Sequence, residues 1–260
     1  MQRAVWRKSA GKAATLVVLA TLVAGCGNRP AFLGGQRQAP IEAQSPEVIY
    51  LSGEAQLAAG RPRDAGETFA EVERLYPYSE WAKRAMLMSA FAYHEGALYA
   101  ESRAAAERFL DFFPADADAP YAQFLIALSY YDQIVDIGRD QSTTFDALQE
   151  MRDIVERYPD SEFAGSAQLK FELALDHLAG KEMEIGRYYL TRGHYTAAIN
   201  RFRVVVEDYQ TTTHTPEALH RLVEAYLSLG LVGEAQTAAA ILGYNFQGSE
   251  WYADSYTLLT

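Results

Sequence analysis

The sequence predicts an all-α fold in which five helix–turn–helix repeats, about ten helices in all, stack into a solenoid. Three observations indicate this fold. One pattern of apolar positions with helical spacing recurs along the chain, residues that favour helix starts precede several of its copies, and no stretch of useful length alternates apolar and polar residues as a strand would. A single structural unit, repeated, therefore accounts for most of the 260 residues.

The first 25 residues are typical of a bacterial secretory signal peptide. They carry four basic residues and no acid, and their apolar run over 13–24 is shorter than the roughly 20 residues of a membrane-spanning helix. Residues 22–26 (LVAGC) resemble the lipobox, at which the cysteine becomes lipidated; the alternative is a chance cysteine near a cleavage site. Gly27 follows, where inner-membrane retention favours Asp. We therefore expect Cys26 to carry a covalent lipid that holds the protein at the outer membrane, and we expect no other cofactor.

Residues 26–45 are expected to form a flexible tether between this lipid and the folded part, because they contain Pro, Gly and Gln but few apolar residues. The whole chain carries a formal charge of −11 and its first 25 residues carry about +4, so the mature protein is near −15. A protein this acidic does not bind nucleic acid by counterion release. Proteins are therefore the expected partners, and attachment to the membrane depends on the lipid anchor.

The recurring pattern starts with a small residue and continues with mostly apolar residues at positions +4, +7 and +11, which lie on one face of a helix. The residue at +11 is aromatic, and the next residue is Pro in the first three copies and Gln in the last two. The copies are Ala65/Phe69/Val72/Tyr76, Ser102/Ala106/Phe109/Phe113, Ala147/Met151/Ile154/Tyr158, Ala198/Phe202/Val205/Tyr209 and Ala235/Ala239/Leu242/Phe246.

A turn residue is expected five positions before each small residue. Glycine, which tolerates positive φ, stands there at 60, 193 and 230, and Ala97 and Ser142 hold the place in the other two copies. Together with an aromatic residue on the first helix, this spacing matches the tetratricopeptide (TPR) pattern. The predicted repeats cover approximately residues 46–78, 79–115, 118–160, 161–211 and 215–248, and a C-terminal tail covers 249–260.

Residues that prefer helix N-termini support these boundaries. Ser45-Pro46-Glu47 and Thr215-Pro216-Glu217 each offer a capping hydroxyl, a proline for the first helical position and an acid that interacts favourably with the helix dipole. Ser79 and residues 160–162 repeat the theme after prolines. Helices are therefore predicted to begin at about these points.

The fourth repeat is predicted to contain an unusually long first helix, from Glu162 to about Arg192. At 1.5 Å per residue it would be roughly 45 Å long, enough to bridge repeats 1–3 and repeats 4–5. The alternative is a break near Ala179-Gly180 that gives two shorter helices.

No arrangement of residues typical of an enzyme is present. The sequence lacks the GxSxG, GxxxxGK[ST], GxGxxG and HExxH motifs, and its five histidines do not pair at helical spacing. His214 and His220, for example, are each expected at the surface or half-buried on a helix. A cell-wall hydrolase would need a catalytic glutamate in a separate compact domain, for which no residues remain. We therefore predict a protein-binding scaffold and not an enzyme.

The predicted scaffold has a groove formed by the first helices of its repeats. Its candidate peptide-binding residues are Tyr50 and Glu54 in repeat 1 and Arg84, Leu87, Phe91 and His94 in repeat 2. Aromatic, aliphatic and cationic side chains of this kind suit an extended peptide, with Arg84 near a terminal carboxylate. The alternative is that some of these residues are buried between repeats.

Several segments resemble the BamD family, the lipoproteins of the outer-membrane β-barrel assembly machinery. The resemblance is strongest over residues 178–202 (LAGKEMEIGRYYLTRGHYTAAINRF) and extends to 139–148, 157–163 and 216–231. It implies a periplasmic protein that its lipid anchors in the outer membrane. It also implies three kinds of protein partner: the POTRA domains of BamA, other Bam lipoproteins, and the C-terminal segments of unfolded outer-membrane proteins.

The same resemblance implies that Asn200 and Arg201 contact BamA, with Arg201 as a candidate ion-pair partner; the alternative for Arg201 is an exposed helix arginine. The other function left open is that of a periplasmic TPR lipoprotein in envelope or peptidoglycan synthesis, which would be expected to lack the 178–202 segment.

Overall fold

A computed structural model of the protein describes residues 40–134 and 139–260, in which it contains eleven α-helices, one short 3-10 helix (Ile41–Ala43) and no strand. The signal peptide, Cys26 and the predicted tether up to residue 39 lie outside the described residues. The all-α prediction is confirmed. The helices are α1 (Pro46–Ala58), α2 (Pro62–Leu75), α3 (Glu80–Glu95), α4 (Tyr99–Phe112), α5 (Ala119–Tyr131), α6 (Ser142–Arg157), α7 (Ala164–Thr191), α8 (Tyr195–Asp208), α9 (Thr215–Ser228), α10 (Val232–Asn245) and α11 (Glu250–Leu259).

Helices α1 to α10 form five consecutive pairs, and each pair lies within one of the predicted repeat ranges. The second helix of each pair also packs against the first helix of the next pair, and consecutive first helices contact one another. Each repeat therefore contacts mainly its neighbours, as in a solenoid.

The structure has one α-helix more than the ten expected, because the predicted tail over residues 249–260 contains α11. Ser249 caps this helix by accepting a hydrogen bond from the Tyr252 N–H at 3.2 Å. The Tyr252 ring packs closely on Gly243 of α10, because glycine has no Cβ to block it. Helix α11 also packs against α9. The helix was missed because it does not carry the small-residue pattern that identified the other repeats.

The repeated apolar positions form the core. The small residue that starts the pattern and the residue at +7 are fully buried in all five copies. The largest of these side chains are Phe109, Ile154 and Leu242. The +4 position is equally buried in four copies and 9% exposed at Ala239. The helical spacing of the pattern therefore predicted the buried face of each second helix correctly.

The aromatic residue at +11 ends its helix in all five repeats. Its φ lies between −136° and −123° and its ψ between 39° and 55°, outside the α region, in the three copies followed by Pro and equally in the two followed by Gln210 and Gln247. Proline is therefore not needed to end these helices, and repeats four and five keep the same geometry.

The turns within repeats use a left-handed residue in four of the five copies. Gly60, Gly193 and Gly230 have φ of 71°, 73° and 74°, and Ala97 has φ of 54°. The prediction for Ser142 is wrong, because this residue is already the first of α6. Asp140 accepts a hydrogen bond from the Ser142 hydroxyl at 2.6 Å and one from the Ser142 N–H at 3.4 Å. In the repeat pattern, α6 starts earlier than the other second helices.

Replacing Ala97 with glycine should raise the free energy of unfolding by about 1 kcal/mol. A left-handed conformation costs an L-residue about 1–2 kcal/mol, more than the roughly 0.5–1 kcal/mol of extra chain entropy that glycine gives the unfolded state. Ala97 is exposed, so no packing is lost. Urea unfolding measures this variant beside Ala104→Gly, a control at an exposed position of α4 that should lose stability. Equal losses in the two variants would show that the left-handed conformation of Ala97 carries no strain.

The helix-start predictions are correct at Ser45 and Ser79, whose hydroxyls accept from the N–H three residues on at 3.4 and 3.1 Å. The prediction for Thr215 is wrong, because α9 already includes this residue. Its buried hydroxyl instead donates to the carbonyls of Tyr209 at 3.1 Å and Gln210 at 3.0 Å, which ties α9 back to the end of α8. The helix after residues 160–162 also begins later than predicted, at Ala164.

The compact unit that contains the repeats begins at Pro40, before the first predicted repeat. Ile41 packs against the core of repeat 1, and the Tyr76 hydroxyl donates to the Gln44 carbonyl at 2.6 Å. The last residues of the predicted tether are therefore part of the fold.

The predicted long helix is confirmed as α7, whose 28 residues continue without a break through Ala179-Gly180. Near its start, Ala167 packs in a cluster with Phe124 of α5 and residues of α6, whereas Met183 packs with Phe202 of α8 and residues of α9. α7 therefore joins the core of the first three repeats to that of the last two. In the part of the chain that the structure describes, no helix is long and apolar enough to cross a membrane.

Candidate protein-binding surfaces

The first-helix face of repeats 1 and 2 brings two of the predicted groove residues, Tyr50 and Arg84, together at Trp81. The Tyr50 ring lies 5.1 Å from the Trp81 ring, and the Arg84 guanidinium carbon lies 5.8 Å from it. Tyr50 is only 9% exposed, whereas Glu54 and Arg84 are exposed. Burial raises the pKa of the Tyr50 hydroxyl, and Glu54 raises it further, while Arg84 lowers it. The result is an aromatic floor with a cation and an anion at its surface.

The remaining groove residues lie further along α3 and are partly buried. Leu87 and Phe91 pack against the core cluster of repeat 2. The His94 side chain is 12% exposed, with its Nε2 at 3.2 Å from a carboxylate oxygen of Asp132 and its Nδ1 at 3.4 Å from the Ser129 hydroxyl. His94 therefore joins α3 to the end of α5. For Tyr50 and His94 the structure matches the alternative of burial between repeats.

The candidate BamA-contacting residues lie on α8. Asn200 is exposed, and the Arg201 side chain is 43% exposed. Arg201 Nη1 donates to Glu182 Oε2 of α7 at 3.0 Å. Glu182 is itself only 18% exposed, so it holds one edge of the guanidinium from the protein side. The exposed remainder of the guanidinium can still donate to a partner's carboxylate.

A chain of ion pairs crosses the first-helix face of repeats 4 and 5. Arg187 Nε of α7 donates to Glu217 of α9 at 2.8 Å, and Arg221 bridges Glu217 at 3.3 Å and Glu224 at 2.7 Å. Burial raises the pKa of Glu217, but the hydrogen bonds and charges of the two arginines outweigh this effect and hold that pKa below its ordinary value. These pairs fix α7 against α9 with charged groups that neutralise one another.

The sequence did not identify the partners of these side chains. Trp81 could have been found, since it lies one helical turn before Arg84, but Glu182 and Asp132 follow only from the packing of different helices. The expectation that His220 is exposed or half-buried is wrong, because it is 4% exposed beneath α11. That burial depends on a helix that the sequence pattern did not reveal. Within 40–134 and 139–260, no three His, Cys, Asp or Glu side chains are grouped to bind a metal ion.

The repeats, their shared turn geometry and the charged and aromatic side chains on their helix faces define a helical-repeat protein of the TPR class. The model of the family described as "YfiO: Outer membrane lipoprotein" matches residues 42–241. The chain therefore belongs to this family, to which BamD also belongs.

Relatives over nearly the whole chain agree with this assignment. The chain is 48% identical over 246 residues to "Outer membrane protein assembly factor BamD" of Caulobacter vibrioides. The aligned region covers 94% of this chain and 78% of the relative. It is 38% identical to the protein of the same name from Rickettsia prowazekii, which covers 94% of each. Family membership confirms the resemblance seen in the sequence, and with it the prediction of a non-enzymatic protein without a cofactor.

Among solved structures, the chain is similar to TTC0263, a thermophilic TPR protein of Thermus thermophilus. The TM-score is 0.38 at 18% sequence identity, and the similarity covers 83% of this chain and 99% of that protein.

Proposed function

We propose that this protein is a non-catalytic scaffold of the outer-membrane β-barrel assembly machinery that binds BamA and unfolded outer-membrane proteins on separate surfaces. Its relatives are named outer membrane protein assembly factors, which supports a role for this protein in the same process. One structural observation carries the proposal. The Glu54–Arg84 surface on α1 and α3 and the Glu182–Arg201 pair on α7 and α8 lie in different repeats of one solenoid.

The surface of repeats 1 and 2 is the proposed site for the C-terminal segments of unfolded outer-membrane proteins. Arg84 is exposed, forms no ion pair among the described residues and lies over Trp81, so a peptide carboxylate could bind it. Leu87 and Phe91 are half-buried and offer apolar contact beside it. Tyr50 contributes as part of the aromatic floor. Recognition here depends on an extended chain that presents apolar and anionic groups together.

The surface of repeat 4 is the proposed binding site for BamA, and the POTRA domains of BamA are proposed to make the contact. Arg201 is held by Glu182 at 3.0 Å and keeps part of its guanidinium exposed, so it is oriented before a partner arrives. Asn200 lies beside it in the chain and is also exposed. Such a pre-oriented cation favours a partner that supplies a carboxylate.

The proposed location is the periplasmic face of the outer membrane. A lipid on Cys26 would supply the anchor, and other Bam lipoproteins are proposed as further neighbours in the assembly. The acidic charge of the chain supports an anchor made of lipid rather than of basic residues on anionic head groups.

Reversing the charge of Arg201 should weaken binding of the BamA POTRA domains by on the order of tenfold or more, because each 1.4 kcal/mol of lost interaction is tenfold in affinity. The full chain carrying Arg201→Glu is compared with Arg203→Glu, which makes the same charge change two residues away on α8, where Arg203 pairs with Glu207. Affinity is measured by titration, and circular dichroism checks that both variants are folded.

The paired variants separate the possible outcomes. An equal loss of affinity in both variants would show that only the overall charge matters, and Arg201 would no longer be assigned as a BamA contact. Failure of the wild-type chain to bind POTRA domains would remove BamA as the partner and favour a TPR lipoprotein of another envelope process.

A further inference from the structure

The contact between α9 and α11 is built around a buried histidine. The His220 side chain is 5% exposed, its Nδ1 lies 2.8 Å from the Ser255 hydroxyl of α11, and its ring centroid lies 5.3 Å from that of Trp251. Ser255 is the buried residue of α11. The centre of this helix–helix contact is therefore polar, in contrast to the apolar centres of the repeat cores.

Other contacts of α11 surround this one: the Arg221 guanidinium carbon lies 5.2 Å from the Trp251 ring, and Leu259 packs against the core cluster of repeats 4 and 5. Tyr256 is 61% exposed and Leu258 is 48% exposed, so much of the apolar surface of α11 does not contribute to its packing. α11 packs against α9 and α10, whereas α9 also packs against α7 and α8. The buried polar contact in the attachment of α11 to α9 is that of Ser255 with His220.

A neutral imidazole fits this environment better than a charged one. The neutral ring can accept at Nδ1 from the Ser255 hydroxyl and direct an Nε2 hydrogen towards Glu224, whose carboxylate oxygen lies 3.5 Å away. An imidazolium would donate at both nitrogens, so the Ser255 hydroxyl would need a different acceptor, and the charge would be buried.

The charges around the ring act in both directions. The groups that act on His220 are Glu217, Arg221 and Glu224 on α9 and Asp254 on α11. The only charged residue of α10 is Glu234, which lies in the first turn of that helix. Burial is the largest effect and lowers the pKa of His220; the three carboxylates raise it and Arg221 lowers it, and the result is a pKa below the ordinary value.

We propose that α11 is a pH-sensitive latch, which packs on α9 while His220 is neutral and is released when His220 takes up a proton. Release uncovers His220 and the surface of α9 beneath Trp251, at the C-terminal end of the solenoid. This inference concerns the regulation of that surface and does not depend on the proposed function.

The direction of the pH dependence follows from linkage. Burial lowers the pKa of His220 while α11 is docked, and release removes the part of that burial due to α11 and returns the pKa towards its ordinary value of about 6.5. Docking is therefore strongest above about pH 6.5, and it is lost as the pH falls through the lowered pKa. The docking equilibrium changes by at most about tenfold for each unit of difference between the two pKa values.

Hydrogen exchange of the full chain tests the latch. Exchange of the α11 amides, residues 250–259, is measured at about pH 7.5 and about pH 5.5 and divided by the intrinsic rate at each pH. We expect the protection of α11 to fall several-fold at the lower pH while that of α4 stays unchanged. His220→Gln, which cannot be protonated, should show no such fall. Equal protection of wild-type α11 at both pH values would overturn the proposal, as would an equal fall in the variant.

A second variant keeps the test decisive if His220→Gln releases α11 at every pH. Asp254→Asn retains the histidine but removes a carboxylate of α11 that favours its protonated form only while α11 is docked. The pKa of docked His220 should then be lower still, so the pH-dependent loss of α11 protection should be larger than in the wild-type chain. A response equal to or smaller than the wild-type response would contradict the latch.

Discussion

Replacing Phe109 with alanine should lower the free energy of unfolding by about 3–5 kcal/mol, the range observed when a buried aromatic ring is removed. Phe109 occupies position +7 of the second repeat and is fully buried. It packs with Met86 of α3 and Leu125 of α5, and its ring lies 5.4 Å from that of Phe113. The ring therefore joins repeat 2 to repeat 3, and alanine would leave a cavity that neighbouring rigid helices cannot fill.

The matched control lies one turn further along the same helix. Phe112 is 65% exposed, so Phe112→Ala should change stability by less than about 0.5 kcal/mol. Both variants are unfolded in urea and followed by circular dichroism. Similar losses in the two variants would mean that the repeat pattern does not identify the core, and would contradict the description of the solenoid.

Replacing Gly186 with alanine should lower the free energy of unfolding by about 1–3 kcal/mol, the usual cost of overpacking a core. Gly186 lies on the buried face of α7, and a Cβ there would overlap the ring of Phe202 on α8. This overlap outweighs the helix propensity that alanine gains over glycine, about 1 kcal/mol. Close approach of α7 and α8 thus depends on one missing methyl group.

Two further variants test the cause of that loss. Gly165→Ala, on the same helix at an exposed site with open space around it, should leave stability unchanged or raise it by up to about 1 kcal/mol. Gly186→Ala combined with Phe202→Leu should lose less than the sum of the two single changes, because a smaller side chain leaves room for the added methyl group. Additive losses in the double variant would show that the two residues do not compete for space.

The sequence predicted best what is local. Helical spacing identified the buried positions of all five second helices, and glycine at the turns identified three of the four left-handed residues, with Ala97 found through its place in the pattern. The long α7 was also predicted, because the fourth repeat is longer than the others. The prediction was wrong at Ser142, where α6 already begins and Asp140 accepts a hydrogen bond from the Ser142 hydroxyl.

The candidate sites could be predicted only in part. Arg84 and Glu54, which the repeat pattern predicts to face the groove, are exposed. The pairing of Arg201 with Glu182 joins side chains of different helices, and the contact of His220 with Ser255 spans 35 residues. Such contacts depend on how helices pack, which spacing along one helix does not encode.

We propose that one chain binds BamA and an unfolded outer-membrane protein on different surfaces at once. The most direct measurement is a titration of the full chain with BamA POTRA domains, followed by a titration of the resulting complex with a peptide from the C-terminal end of an outer-membrane protein. We predict that both ligands bind, and that the affinity for the peptide is the same with and without BamA, because Arg84 and Arg201 lie in different repeats. Displacement of one ligand by the other, or binding of neither, would contradict the proposal of two separate binding surfaces.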